Sequence, residues 1–164
     1  MPRPRTTAIG ALLRLPPRGV ALVEFALVLP FLILLLVLVI DFGFAGYRLM
    51  QVQAAAEAGA QYAFRNPNPW NAAAIANEVA AATGISGIAA TPAPSQVCGC
   101  TDANSFRNAG PPTSGSCSSA TPSCTSGFGI YASVSAQLSY HTMLPYPRLP
   151  NPLTLSGQAY RRLN

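Results

Sequence analysis

Four cysteines, Cys98, Cys100, Cys117 and Cys124, one histidine, His141, and five carboxylates are the residues whose types could carry chemistry in this chain. Four thiols admit three pairings. A Cys98–Cys100 bond would close a loop with one residue inside it, where the required Cα and Cβ separations are hard to reach. One crossed and one nested pairing remain. A zinc site is the competing reading, but C-x-C, sixteen residues, then C-x6-C matches none of the usual zinc spacings. The cysteines are therefore expected to be disulfides, and no metal is expected.

Catalysis finds little to work with. His141 falls among Pro-rich turn residues, and no Ser or Cys stands in a nucleophile-elbow or papain-like context. The carboxylates Glu24, Asp41, Glu57, Glu78 and Asp102 are scattered, so no acid/base pair can be named. There is no Gly-rich phosphate loop. The expectation is a protein that is not an enzyme, with no cofactor and no small-molecule substrate.

Glu24 is the informative carboxylate. It stands five residues after Gly19 and just before an apolar run, in the order Arg18-Gly19-Val20-Ala21-Leu22-Val23-Glu24-Phe25. An ionisable group inside a membrane segment is by default a functional hypothesis with a partner to be named. Its natural partner is the α-amino group that would exist at Val20 if the chain were cut after Gly19. On one helix the two groups lie about 6 Å apart along the axis. Between neighbouring helices staggered by about one turn they could meet, relieve each other's desolvation and set the register of subunits. The plain alternative is a carboxylate lying at headgroup level.

The elements that must position these residues begin with the span. From Phe25 to Ile40, fourteen of sixteen residues are Leu, Ile, Val or Phe. They favour insertion by on the order of 6 kcal/mol, more than one carboxylate near the membrane edge costs. Extended to Val20 and Phe44, the segment has 25 residues, interrupted by only Glu24 and Asp41 as charges. About 20 residues cross a bilayer core. An ordinary signal peptide has a shorter apolar region and a small-residue site close behind it, whereas Ala54, Ala55 and Ala56 lie well past this one.

Four of the five net positive charges belong to residues 1–19, which hold four Arg, no acid and four Pro; the remainder has six Arg against five acids, a net of one. Nucleic-acid binding, which needs clustered basic residues on a folded face, is not expected. The leader is expected in the cytoplasm and everything after Tyr47 outside, by the positive-inside rule. Four downstream cysteines agree with an oxidising compartment.

After Asp41 the pattern becomes Ala-rich and amphipathic, and nothing stops a helix before Asn66-Pro67. A helix over residues 20–65 would be on the order of 70 Å long, the first part spanning the membrane and the rest a stalk. Pro30, Gly43 and Gly46 are candidate kinks. Ala55 with Gly59, and Ala56 with Ala60, either permit close helix approach or are simply good helix formers. The head, residues 66–164, opens with Asn68-Pro69 as a cap for a short helix through Ala72, Ile75, Val79 and Ala82 that stops at Gly84, with Trp70 anchoring onto the stalk. Residues 91–127 read as a turn-rich loop held by disulfides. Ile130 to Ser139 alternate with period two and predict a half-buried strand. A second strand, carrying Leu153, Leu155 and Ala159, is expected to pair with it antiparallel. The fold class is α+β: a long N-terminal transmembrane and stalk helix, then a small disulfide-bearing head with a short antiparallel sheet.

The basic leader, Gly19-Val20-Ala21-Leu22-Val23-Glu24-Phe25 and the apolar helix resemble the prepilin peptidase site of type IV pilin-like proteins. Within that group, the run from Arg18 to Pro30, Asp41-Phe42-Gly43 and the Ala-rich Gln51 to Ala63 are similar to the TadE-like family of tight-adherence pilus assembly proteins. The cysteines, the alternating strand and the terminal Leu153 to Arg161 also look like that family's outer half. The resemblance implies cleavage after Gly19 by a membrane aspartyl peptidase. Val20 then becomes the new N-terminus, Glu24 the processing-site carboxylate, and Phe25 the residue that follows it. It also implies residence in the inner membrane as a minor pseudopilin, with the head periplasmic or extracellular. Other pilus subunits and the assembly platform are the implied partners. The rival expectation is a membrane-tethered binding or adhesion module that is never processed.

Overall fold

The computed structural model describes residues 17–102, 105–112, 117, 128–144 and 146–163. The leader up to residue 16, Cys124 and most of the segment between 113 and 127 lie outside the described residues. The chain divides into two compact units, one ending at Phe42 and one beginning at Gly43. Helix α1, Pro17–Arg65, contributes to both. Pro suits a first helical position, where its missing N–H would have no partner anyway. The helix continues through Pro30, Gly43 and Gly46. It ends where expected: Asn66 turns both its backbone N–H (3.0 Å) and its side-chain amide (3.2 Å) back to the Tyr62 carbonyl, and Pro67 follows.

Up to Phe42 the helix is exposed on nearly all sides, with Leu22, Leu27 and Phe31 at 71, 68 and 75%. Asp41 is the exception at 2%.

The second unit holds the rest of the fold. Helix α2, Ala72–Ala81, is capped by Asn71, whose Oδ1 accepts from the Ala74 N–H at 3.0 Å. The expected cap, Asn68-Pro69, instead forms a cis peptide in the preceding connection. Asn71 wins because its extended backbone points its side chain at the orphan amides of the first turn. The helix ends at Ala81 with Ala82 as its C-cap, two residues before Gly84.

Four strands follow: β1, Ser95–Asp102; β2, Ser105–Gly110; β3, Gly129–Tyr140; and β4, Leu153–Arg162. They form one sheet in the order β2-β1-β3-β4 with every neighbouring pair antiparallel. The two strands predicted from alternation are β3 and β4, paired from Tyr131↔Arg162 to Tyr140↔Leu153. Strands β1 and β2 replace much of what reads as a loop in the sequence.

Ala132, Val134, Ala136 and Leu138 of β3 and Leu155 of β4 pack against Val52, Ala55, Ala56, Ala60 and Ala63 of α1 and Ile75 and Val79 of α2. Full burial of Ile75 and Val79 contributes about 1.5–3 kcal/mol each. Trp70 packs on this core from its edge. The opposite face of β3 is covered too, with Tyr131 and Ser135 buried, so this strand is more than half-buried. The cover over Tyr131 is Phe106 of β2, edge-on at 4.9 Å, which in turn stacks on Tyr160 of β4 at 4.1 Å.

The small residues of α1 serve close approach within the chain. A Cβ on Gly59 would collide with Val79 and come within 3.0 Å of Val134 Cγ1, so this glycine lets α2 and β3 meet the helix. Gly157 of β4 has its open side on the α1 backbone, where a Cβ would stand 2.8 Å from Gln53 Cα.

Candidate functional site

The residues of the predicted processing segment fall together at the start of α1. Gly19 is the third residue of the helix and half-buried, while Val20, Glu24 and Phe25 are exposed. The four-residue spacing puts Val20 and Glu24 on one face, about 6 Å apart in rise. Gly19 and Val20 lie in the first turn of α1, where the helix amides lack internal acceptors.

Among the described residues, α1 is the one helix long and apolar enough to cross a membrane, over Gly19–Arg65. Its apolar residues cluster before Gly43 and its Ala and Gln residues after it.

In the head, Cys98 of β1 is joined to Cys117, with the Cα atoms 5.6 Å apart. Cys100 is also in a disulfide and fully buried. The Cys98–Cys117 bond removes the nested arrangement, and Cys124 lies outside the described residues. Alternate positions of β1 therefore both serve as staples. Among the described residues no group of three or more His, Cys, Asp or Glu could hold a metal ion. His141 is exposed just beyond β3, away from the core.

One polar feature was not legible beforehand. A groove between α1 and β4 is lined by Gln53, Glu57, Gln61, Gln158, Tyr160 and Arg161. At one end the Gln53 side chain donates to the Gln158 carbonyl at 2.9 Å and accepts from the Gln158 N–H at 3.2 Å. It also donates to Glu57 Oε1 at 3.3 Å. Gln53 and Gln158 are 105 residues apart, and only the fold brings them together. The sequence offered only Gln53, Glu57 and Gln61 at helical spacing.

The architecture defines a class: a single helix of membrane-crossing length that carries a small disulfide-bonded α+β head. Among known protein families, the one described as TadE-like protein matches residues 19–61, the stretch of α1 from Gly19 to Gln61. This is the family that the N-terminal motif resembles, and the match begins at the residue before the expected cut. The head lies beyond it. No curated protein and no solved structure matches the chain.

Proposed function

We propose that this protein is a minor pseudopilin that takes part in assembling or initiating a tight-adherence pilus. The observation that carries the reading is the coincidence of the TadE-like match with one helix whose first two turns present Gly19, Val20 and Glu24. In this reading a membrane aspartyl peptidase, the prepilin peptidase, cuts between Gly19 and Val20. The new α-amino group of one subunit meets Glu24 of a neighbour, each charge lowering the cost of holding the other in the membrane.

The protein sits in the inner membrane with its N-terminus in the cytoplasm and its head outside. Its partners are the membrane, the peptidase, other pilus subunits and the assembly platform. Its role is structural rather than enzymatic, supported by dispersed carboxylates and a lone, exposed histidine. The shortage of basic residues beyond the leader argues against nucleic acid.

Mass spectrometry of the protein from a host that has the peptidase tests the cut. The expected mature chain begins at Val20, and Gly19→Ala keeps the leader. An intact leader on the unaltered protein favours a tethered module that is never processed. Glu24→Ala is expected to insert normally and to impair piliation; unchanged piliation would sink the charge pairing.

A further inference from the structure

The connection between β3 and β4, residues 141–152, has a composition that the pilus reading does not use. It carries Met143, Leu144 and Leu149 at 63, 37 and 40% exposure, one Arg, and no acid. Several large apolar side chains exposed on one short connection point to a contact surface. In its described part, Pro147, Pro150 and Pro152 fix their own φ angles. The Thr142 hydroxyl donates to the Leu144 carbonyl at 2.9 Å, and the Leu149 N–H closes a turn on Tyr146 at 3.3 Å. Arg148 has φ of 77°, a left-handed conformation uncommon outside glycine, Asn and Asp. The exposed apolar side chains are therefore presented by a shaped turn.

Its place in the unit follows from the register. Gly157 lies over Gln53 and Val134 over Gly59, while Ala136 pairs with Gly157 and Ala159 with Val134. Moving up α1 thus moves down β3 in number and up β4. Four residues from Ala136 to Tyr140 cover about 13 Å. That is the rise of about nine residues of α1, so the β3–β4 connection lies at the level of Phe44, at the end of this unit that leads into the apolar span. There α1 exposes Phe44, Tyr47 and Met50, and its only charge between Gly43 and Gln53 is Arg48. One turn earlier Asp41 is buried, so the side chains exposed at this level are apolar and aromatic with basic residues beside them, as an anionic membrane interface receives.

We propose that the β3–β4 connection docks on the anionic lipid interface of the membrane that α1 crosses, inserting Met143, Leu144 and Leu149 and setting Arg148 among the headgroups. The proposal rests on the reading of α1 as a membrane span. The loop then fixes the head against the bilayer.

The test uses the full chain in vesicles of phosphatidylcholine with phosphatidylglycerol, some lipids brominated high on the acyl chain to quench tryptophan. Trp70 is the chain's single tryptophan. It follows the far end of α1 by five residues and should not be quenched in the unaltered protein. In a Trp70→Phe background, Leu144→Trp and, as a second reporter, Leu149→Trp are expected to be quenched. Leu34→Trp reports the span itself. Arg148→Gly suits the left-handed backbone and removes the charge; it should lower the docked-to-undocked ratio about five-fold with phosphatidylglycerol present and leave it unchanged in phosphatidylcholine alone. Quenching of Leu34→Trp without quenching of either loop reporter overturns the docking and leaves the span intact. Loop reporters shielded from both bromolipid and aqueous quencher also overturn it, in favour of a protein neighbour. An unquenched Leu34→Trp fails the span reading, and the docking with it.

Discussion

Gln53 grips Gln158 with both ends of its amide, donating at 2.9 Å and accepting at 3.2 Å, as a neighbouring strand would. Strand β4 is an edge of the sheet, and an edge left bare is a template for pairing with another chain. Gln53 occupies the outward-facing backbone groups of one β4 residue and ties the strand to the helix. Replacing it with Leu keeps the bulk and removes both bonds. A loss of about 1–2 kcal/mol is expected, since each net hydrogen bond contributes about 1 kcal/mol and the site is partly exposed. Urea unfolding of the full chain in detergent, followed by Trp70 fluorescence, reads this directly. A midpoint equal to that of the unaltered protein would show that the amide carries no weight.

Gly59 should tolerate nothing larger. Gly59→Ala removes a helix-weakening residue, which alone would stabilise by about 1 kcal/mol. Its methyl, however, would collide with Val79 and press on Val134. Overpacking of a dense core costs about 1–3 kcal/mol, so the net effect is destabilising, and Gly59→Val is worse. The same fluorescence assay checks the order; an alanine variant more stable than the parent would mean that α2 moves aside at little cost.

Non-reducing peptide mapping is expected to return a peptide linking Cys98 to Cys117 and a second in which Cys100 is disulfide-bonded. Replacing Cys98 and Cys117 by Ser should cost about 3 kcal/mol, because the bond closes a loop over a sequence separation of 19. Four alkylatable thiols in the native protein would contradict both the pairing and the oxidising compartment.

The parts of the fold visible in the sequence are those with an uninterrupted period. Helix α1 is announced by its apolar run and Ala-rich continuation, and β3 by Ile130, Ala132, Val134, Ala136 and Leu138. Strands β1 and β2 were hidden because their apolar residues are few, Val97, Cys98, Cys100 and Phe106 among Ser, Thr, Gly and Asn. Their pairing with β3 and with each other, rather than alternation of their own, defines them. The small residues at spacing four were readable as contact positions, but not their partners, since Val79 and Val134 reach Gly59 only through the fold. Gly19, Val20, Glu24 and Phe25 were readable as a motif for the opposite reason: they are consecutive turns of one helix and need no tertiary structure to come together.

The parallel course of β4 and α1 has a mechanical consequence. The strand lies along the helix over the Gly157–Gln53 contact, and the alanine-lined core continues beside it. A tug on the head along the helix axis is therefore carried in shear across many contacts simultaneously, rather than prising them apart one by one. Such a joint resists traction along the helix.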